Sequence, residues 1–264
     1  MANFSGEPNR SKRRSENNGV EAKKKKNNAL SIADETSHQT EDVNASNILA
    51  LSRLSFHFFD VPCAQLARSL LGQILIRIQG SQRISGRIVE TEAYLGLEDK
   101  AAHSFNGKRT ERNEAMFMTP GTAYVYNIYG MYCCLNISSQ GEGCAVLVRA
   151  LEPVEGVHLM REHRGKNSTK PQKEKDMTNG PSKLCQAMAI SKSEFNKIDV
   201  TTSKSLFLEQ GSTVLDSDIV RCARVNIGYA EEWEHKPLRF YVLGNKCVSV
   251  RDKQAEQNMS GTGT

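Results

Sequence analysis

The sequence contains no long apolar run. No stretch approaches the ~18 unbroken apolar residues of a membrane-spanning helix, and the first residues lack the apolar core of a secretory signal. We therefore expect no membrane partner and no secretion.

Metal-ligand spacings are missing as well. The seven cysteines form no CxxC pair, and His158 and His163, five residues apart, would not share a helical face as paired zinc ligands do. The sequence therefore predicts no metal and no cofactor. The odd, scattered cysteines are typical of small buried side chains in a reducing compartment.

Most of the chain carries no excess charge. Residues 1–28 contain eight Lys or Arg and three Glu, a balance of +5 that equals the formal net charge of the whole chain. The other residues therefore sum to zero, and any nucleic-acid affinity of the folded part must come from local patches.

Residues 1–48 have the composition of a disordered tail, polar and poor in aromatic residues. Their basic clusters SKRR (11–14) and KKKK (23–26) favour a nuclear address, and we predict a nuclear protein. A nonspecific DNA-holding arm and a solvated tail without function are the alternatives.

We predict one folded domain over residues 49–258, because the sequence shows no repeat and no second core. A charged loop is expected at about 164–179 and a disordered end at 259–264. The predicted fold class is α+β, a curved and largely antiparallel sheet with a protruding β-hairpin and flanking helices. Helices are expected after an Asp60 cap, at 154–163 and after a Ser182 cap, and strands at 73–78, 84–94, 145–151, 238–243 and 247–251.

Two carboxylates stand on the strand-like run 84–94. Because side chains alternate along a strand, Glu90 and Glu92 would share one face with Ile88 and Tyr94. A partly desolvated carboxylate beside an aromatic ring can act as a general base. A solvated edge is the alternative reading, and alternation alone does not choose between Glu90 and Glu92.

A hairpin with an aromatic tip follows. The runs 123–129 and 132–138 are separated by Gly130 and Met131, which suits a two-residue turn. That register would place Tyr126 and Asn136 on opposite faces. Exposed aromatics beside the basic segment 108–112 suit a wedge that enters a base stack while cations hold phosphates.

These motifs together resemble the alkyladenine (3-methyladenine) DNA glycosylase family of the mammalian type. The resemblance extends over almost the whole chain after the first fifty residues. It rests on RIVETEAYLG (87–96), AAHSFNGKRTERN (101–113), MFMTPGTAYVYNIYGMYCCLNISS (116–139), VLVRALEP (146–153), GPSKLCQAMAI (180–190), ARVNIGYA (223–230) and KPLRFYVLGNKCVSV (236–250).

The resemblance implies a role for each matching position. Glu92 would be the general base that activates water, with Arg149 holding the acid and the DNA backbone. Tyr129 would plug the vacated place in the duplex, with Met131 beside it. Tyr94, His103 and Tyr126 would grip the extruded base, and Asn136 would exclude guanine. Apart from the resemblance, the residues themselves predict DNA contacts at the basic segment (Arg109, Thr110 and Arg112) and at the helix start, where Ser182 and Lys183 form a phosphate site.

The implied function is that of a monofunctional, monomeric DNA glycosylase in base excision repair. It would act on double-stranded DNA and release alkylated or deaminated purines such as 3-methyladenine, 7-methylguanine, hypoxanthine and ethenoadenine. Two other classes stay open on the residues alone, a non-catalytic DNA-binding protein and a hydrolase of free nucleosides. An ordinary capped helix is the alternative for Ser182 and Lys183.

Overall fold

A computed structural model describes residues 52–165 and 172–260. The predicted tail at 1–48, part of the predicted loop (166–171) and residues 261–264 lie outside these described residues. The predicted α+β class is confirmed, because helices flank a curled, antiparallel sheet.

Eight strands form this sheet in the order β3-β4-β5-β2-β1-β6, and β8 joins β2 to β7. All pairings between them are antiparallel. The strands are β1 (Ile74–Gln79), β2 (Gln82–Leu95), β3 (Ala123–Ile128), β4 (Tyr132–Ser138), β5 (Cys144–Glu155), β6 (Leu206–Glu209), β7 (Ile219–Cys222) and β8 (Arg239–Val242).

The central strand β2 is irregular where the carboxylates stand. Its pairing with β5 shifts register on both sides of Glu90, which leaves Val89 and Arg149 without a direct cross-strand partner. Ile88 packs in the main core, whereas Val89 packs with Tyr241 in a separate cluster. The predicted common face of Ile88 and the two carboxylates is therefore wrong, because a β-bulge interrupts the alternation.

The hairpin between β3 and β4 differs from the predicted register by one residue. Ile128 pairs with Tyr132, so that the loop contains three residues, Tyr129 to Met131. Tyr129 and Gly130 both adopt positive φ, at 52° and 75°. A one-residue slip moves a whole strand to the other face, and Tyr126 consequently shares a face with Asn136.

Six α-helices have both ends within the described residues, and several of their limits differ from the predictions. They are α1 (Phe56–Phe59), α2 (Cys63–Ser69), α3 (Val157–Gly165), α4 (Pro181–Ala187), α5 (Lys192–Phe195) and α6 (Lys253–Ser260).

Neither predicted N-cap side chain caps its helix. Asp60 follows α1 and Pro62 is the N-cap of α2, while Gly180 is the N-cap of α4 and Ser182 lies inside its first turn. The strand predicted at 247–251 is absent from the described chain, where turns and bends lead into α6. Residues 154–155 belong to β5 instead of a helix.

Helices α2 and α4 pack on one side of the sheet and close the main core. Six of the seven cysteines are buried, and all seven are free thiols. None of the helices in residues 52–165 and 172–260 has the length and apolar character needed to cross a membrane.

Candidate active site

Glu92 is fully buried and held by three partners. The hydroxyl of Tyr94 donates to Oε2 over 2.8 Å, and the backbone N–H of Val225 donates to Oε1 over 2.7 Å. Arg149 Nη1 lies 3.2 Å from Oε1. The carboxylate is therefore oriented by the strand that carries it, by β5 and by the segment after β7.

Glu90 is equally buried and accepts four hydrogen bonds. Its Oε1 accepts from Arg149 Nε (3.1 Å), Arg239 Nη1 (3.0 Å) and the Ser249 hydroxyl (2.9 Å), and its Oε2 accepts from the Ser249 N–H (2.6 Å). Arg149 thus bridges the two carboxylates. The saturated bonding of Glu90 is typical of a structural ion pair.

Tyr94 packs against a second buried ion pair, formed by Arg224 and Asp99. Arg224 lies 4.7 Å from the centre of the Tyr94 ring and binds Asp99 over 2.5 Å and 2.8 Å. Asp99 also accepts the N–H groups of Leu95 and Ala101, which shapes the loop after β2. Burial, followed by the neighbouring Glu92 carboxylate, raises the pKa of Tyr94 well above its usual value. The phenol therefore stays protonated and donates to Glu92.

An aromatic cluster, formed by His103, Tyr124 and Tyr126, lies next to this group. Nδ1 of His103 is 2.9 Å from the Tyr124 hydroxyl, and the His103 and Tyr126 rings meet edge to face at 4.8 Å. Glu92 on β2 and Asn136 on β4 both pair with Leu147 of β5, so the two residues lie on the same face of the sheet. Asn136 is buried on the same face and donates to the Tyr124 carbonyl over 3.0 Å.

His103 is a neutral imidazole at physiological pH. Loss of hydration, followed by the charges of Arg112 and Lys108, lowers its pKa to about 4. A neutral ring can hydrogen-bond to Tyr124 and present its other nitrogen to a ligand without adding positive charge.

We expect this shift to make folding stability depend on pH. The unfolded chain binds a proton at His103 below about pH 6.5, whereas the folded protein does not until about pH 4. Stability is therefore lost as the pH falls from about 6.5 towards 4. Urea unfolding should show that the free energy of unfolding falls less steeply with decreasing pH in His103→Gln than in the wild type. The exposed His158→Gln is the matched control, and equal slopes for His103→Gln and wild type would contradict the assignment.

The hairpin tip projects away from the protein. Tyr129 is 89% exposed and Met131 is 71% exposed, although both are large and apolar. Large apolar side chains that are exposed together at one turn suit an interaction site.

The predicted basic segment is ordered by Asn113. The Asn113 side chain accepts the N–H and hydroxyl of Thr110 and donates to the carbonyls of His103 and Lys108. Arg112 lies 5.3 Å from the Tyr126 ring centre, whereas Arg109 pairs with Glu114 at 2.6 Å. An open cavity of about 290 Å³ lies here, lined among others by His103, Lys108, Arg112 and Tyr229.

Ser182 and Lys183 lie apart from these groups, on α4. Helix α4 packs against β4 and β5, and Lys183 Nζ donates to Asn179 Oδ1 over 2.8 Å. The structure therefore brings Glu92, Tyr94 and Arg149 into direct contact. His103 and Tyr126 meet in the aromatic cluster and Asn136 lies on the same face, while α4 packs on the core face of β4.

Five supporting residues carried no assignment in the sequence. Asp99 had a local signal, because an Asp at a strand end often accepts the N–H two residues on. The Asn113 side chain contacts residues three to ten positions before it. The other three are recognised only by long-range contacts; they are Arg224, Arg239 and Ser249. Within the described residues, no group of three His, Cys, Asp or Glu side chains is placed to hold a metal ion.

Comparison with known proteins connects this geometry to one family. The profile of the family described as Methylpurine-DNA glycosylase (MPG) matches residues 57–246. The chain is 52% identical over 214 residues to the human DNA-3-methyladenine glycosylase, an alignment that covers 79% of this chain and 72% of the human one. The rat and mouse proteins of the same name are each 53% identical, over 78% of this chain and 66% and 63% of their own lengths.

Proposed function

Because this chain belongs to the methylpurine-DNA glycosylase family and is an N-glycosyl hydrolase, we propose that it releases alkylated and deaminated purines from DNA. The product is an abasic site, and the reaction begins base excision repair. The proposed substrates are 3-methyladenine, 7-methylguanine, hypoxanthine and ethenoadenine in double-stranded DNA.

The observation that carries the proposal is the buried carboxylate of Glu92. A carboxylate fixed by Tyr94, Arg149 and the Val225 N–H can accept a proton from water and stabilise positive charge that develops on a sugar. Hydrolysis of the N-glycosidic bond needs both, because its transition state is oxocarbenium-like. Water is the nucleophile in this scheme, so no lysine Schiff base forms and the enzyme is monofunctional.

The nucleotide reaches this carboxylate only after it rotates out of the duplex. Extrusion costs a few kcal/mol, and less for a damaged or mispaired base. Tyr129 and Met131, exposed at the hairpin tip, fill the gap that the extruded nucleotide leaves in the duplex. Arg112 beside the aromatic cluster supplies positive charge for the backbone.

The aromatic cluster then selects the base. Tyr94, His103 and Tyr126 offer stacking surfaces, and the low pKa of His103, about 4, means that the ring does not repel a cationic alkylated purine. Asn136 is buried and its amide is oriented by the hydrogen bond to the Tyr124 carbonyl. An amide oriented in this way can exclude the exocyclic amino group of guanine.

Incubation with defined substrates tests the proposal. Duplexes that contain one hypoxanthine or one 3-methyladenine are treated with the protein and then with alkali, which cleaves only at abasic sites. We expect cleavage at the lesion and none in an undamaged duplex. Binding without cleavage, or release of bases from free nucleosides alone, would contradict it.

We further propose that the protein works as a nuclear monomer, with residues 49–258 as its catalytic domain and 1–48 as an appended tail. The clusters at 11–14 and 23–26 support nuclear import. Replacing their basic residues by Ser should move a fluorescent fusion out of the nucleus without reducing activity in vitro. Unchanged nuclear signal would contradict this role.

A further inference from the structure

A second cavity lies on the reverse side of the hairpin. It has a volume of about 450 Å³ and is formed between the hairpin and the start of α5. We call it the outer groove, and the residues that line it are Asn127, Met131, Cys133, Ser191, Lys192 and Ser193.

The hairpin register separates the outer groove from the aromatic cluster. Asn127 pairs with Cys133, one position along from the pair of Tyr126 and Cys134. Because neighbouring residues of a strand point to opposite faces, Asn127 and Cys133 lie behind the face that carries Tyr126 and Asn136. Met131, at the exposed tip, lines one end of the groove.

The lining of the outer groove suits an anion. None of its six residues is acidic, and the exposed Lys192 takes part in no ion pair found among the described residues. The nearby Glu194 is already paired with Arg77 at 2.8 Å. The hydroxyls of Ser191 and Ser193 lie 3.2 Å apart, and Asn127 Oδ1 accepts from the Cys133 thiol, which leaves the amide group to donate.

We propose that the outer groove binds the phosphate backbone of the undamaged DNA strand. This inference rests on the proposed function, in which the tip enters the duplex. A wedge between two strands has one strand on each side, and the extruded nucleotide occupies the side of Tyr126. The opposite strand therefore passes the reverse side, where Lys192 and the serine hydroxyls contact its phosphates.

Comparison of duplex and single-stranded substrates tests the proposal. For Lys192→Ala we expect the affinity for a hypoxanthine-containing duplex to fall by about 3–10-fold near 0.1 M salt. The slope of log affinity against log salt should decrease by about 1. Affinity for the same lesion in a single strand, and base release from it, should remain at the wild-type values. Lys204→Ala, an exposed lysine outside the groove, is the matched control.

Neutral methylphosphonate linkages locate the contact. Placed in the undamaged strand opposite the lesion, they should weaken wild-type binding and abolish the difference between wild type and Lys192→Ala. The outer groove would be overturned as the site of this strand if Lys192→Ala lost equal affinity for the duplex and the single strand, or lost no affinity for the duplex. It would also be overturned if the difference in affinity between wild type and variant persisted with the neutral linkages. If the wild-type protein released no hypoxanthine from the duplex, the proposed function itself would fail, whatever the variant did.

Discussion

Replacement of Glu92 by Gln should leave binding to damaged DNA intact and slow base release by about 10²–10⁴-fold or more. The amide keeps the shape of the carboxylate but neither accepts a proton from water nor balances charge on the sugar. Two of its contacts keep their direction, because the amide oxygen can accept from the Val225 N–H and Arg149. At the third contact the hydrogen bond reverses, and the amide nitrogen donates to the Tyr94 hydroxyl. Single-turnover release from a hypoxanthine duplex, with affinity measured in parallel, separates the two effects.

The matched control for this result is the other carboxylate of the same strand. Sequence alternation left Glu90 and Glu92 equivalent, so each is replaced by Gln in the same assay. Wild-type rates of release in Glu92→Gln, at equal occupancy of the DNA, would remove Glu92 as the base.

Replacement of Glu90 by Gln should instead reduce the free energy of unfolding by about 3–5 kcal/mol, the usual cost of removing one partner from a buried ion pair. Glu90 accepts four hydrogen bonds, from Arg149, Arg239 and the N–H and hydroxyl of Ser249. A glutamine –NH₂ would face either the Ser249 N–H or the cluster of Arg149, Arg239 and the Ser249 hydroxyl. Neither orientation satisfies the buried donors.

Urea unfolding of the two variants at one pH measures this difference. The loss should be distinctly smaller for Glu92→Gln, whose amide has an acceptor for its –NH₂ in the Tyr94 hydroxyl. Equal losses in the two variants would show that net charge, not hydrogen-bond geometry, governs the stability of the cluster.

Local patterns identified the hairpin correctly but not the length of its loop. Gly130 favours a turn in either register, and the choice between two and three loop residues depends on how Tyr129 is accommodated. Its φ of 52° is uncommon for a non-glycine residue. The sequence could therefore predict a wedge with an exposed Tyr129, while the shared face of Tyr126 and Asn136 required the observed pairing.

At the carboxylate site, sequence-based prediction failed for a different reason. Alternation predicted that Glu90 and Glu92 face the same way, and both do contact Arg149. The bulges beside Glu90, which bring Arg149 between the two acids, follow from the mismatch of two paired strands and have no signature in either strand alone. Burial of the acids depends on Val225, Arg239 and Ser249, which are more than a hundred residues distant.

The hydrogen bonds between Ser249 and Glu90 also have a consequence for biosynthesis. Its two ends are 159 residues apart, so at roughly 5–20 residues per second a ribosome needs on the order of 8–32 s to deliver the second end after the first. During that interval the nascent polypeptide contains Glu90 but not yet the Ser249 N–H that donates to it. The buried cluster of Glu90 and Arg149 is therefore completed only after residue 249 has been translated.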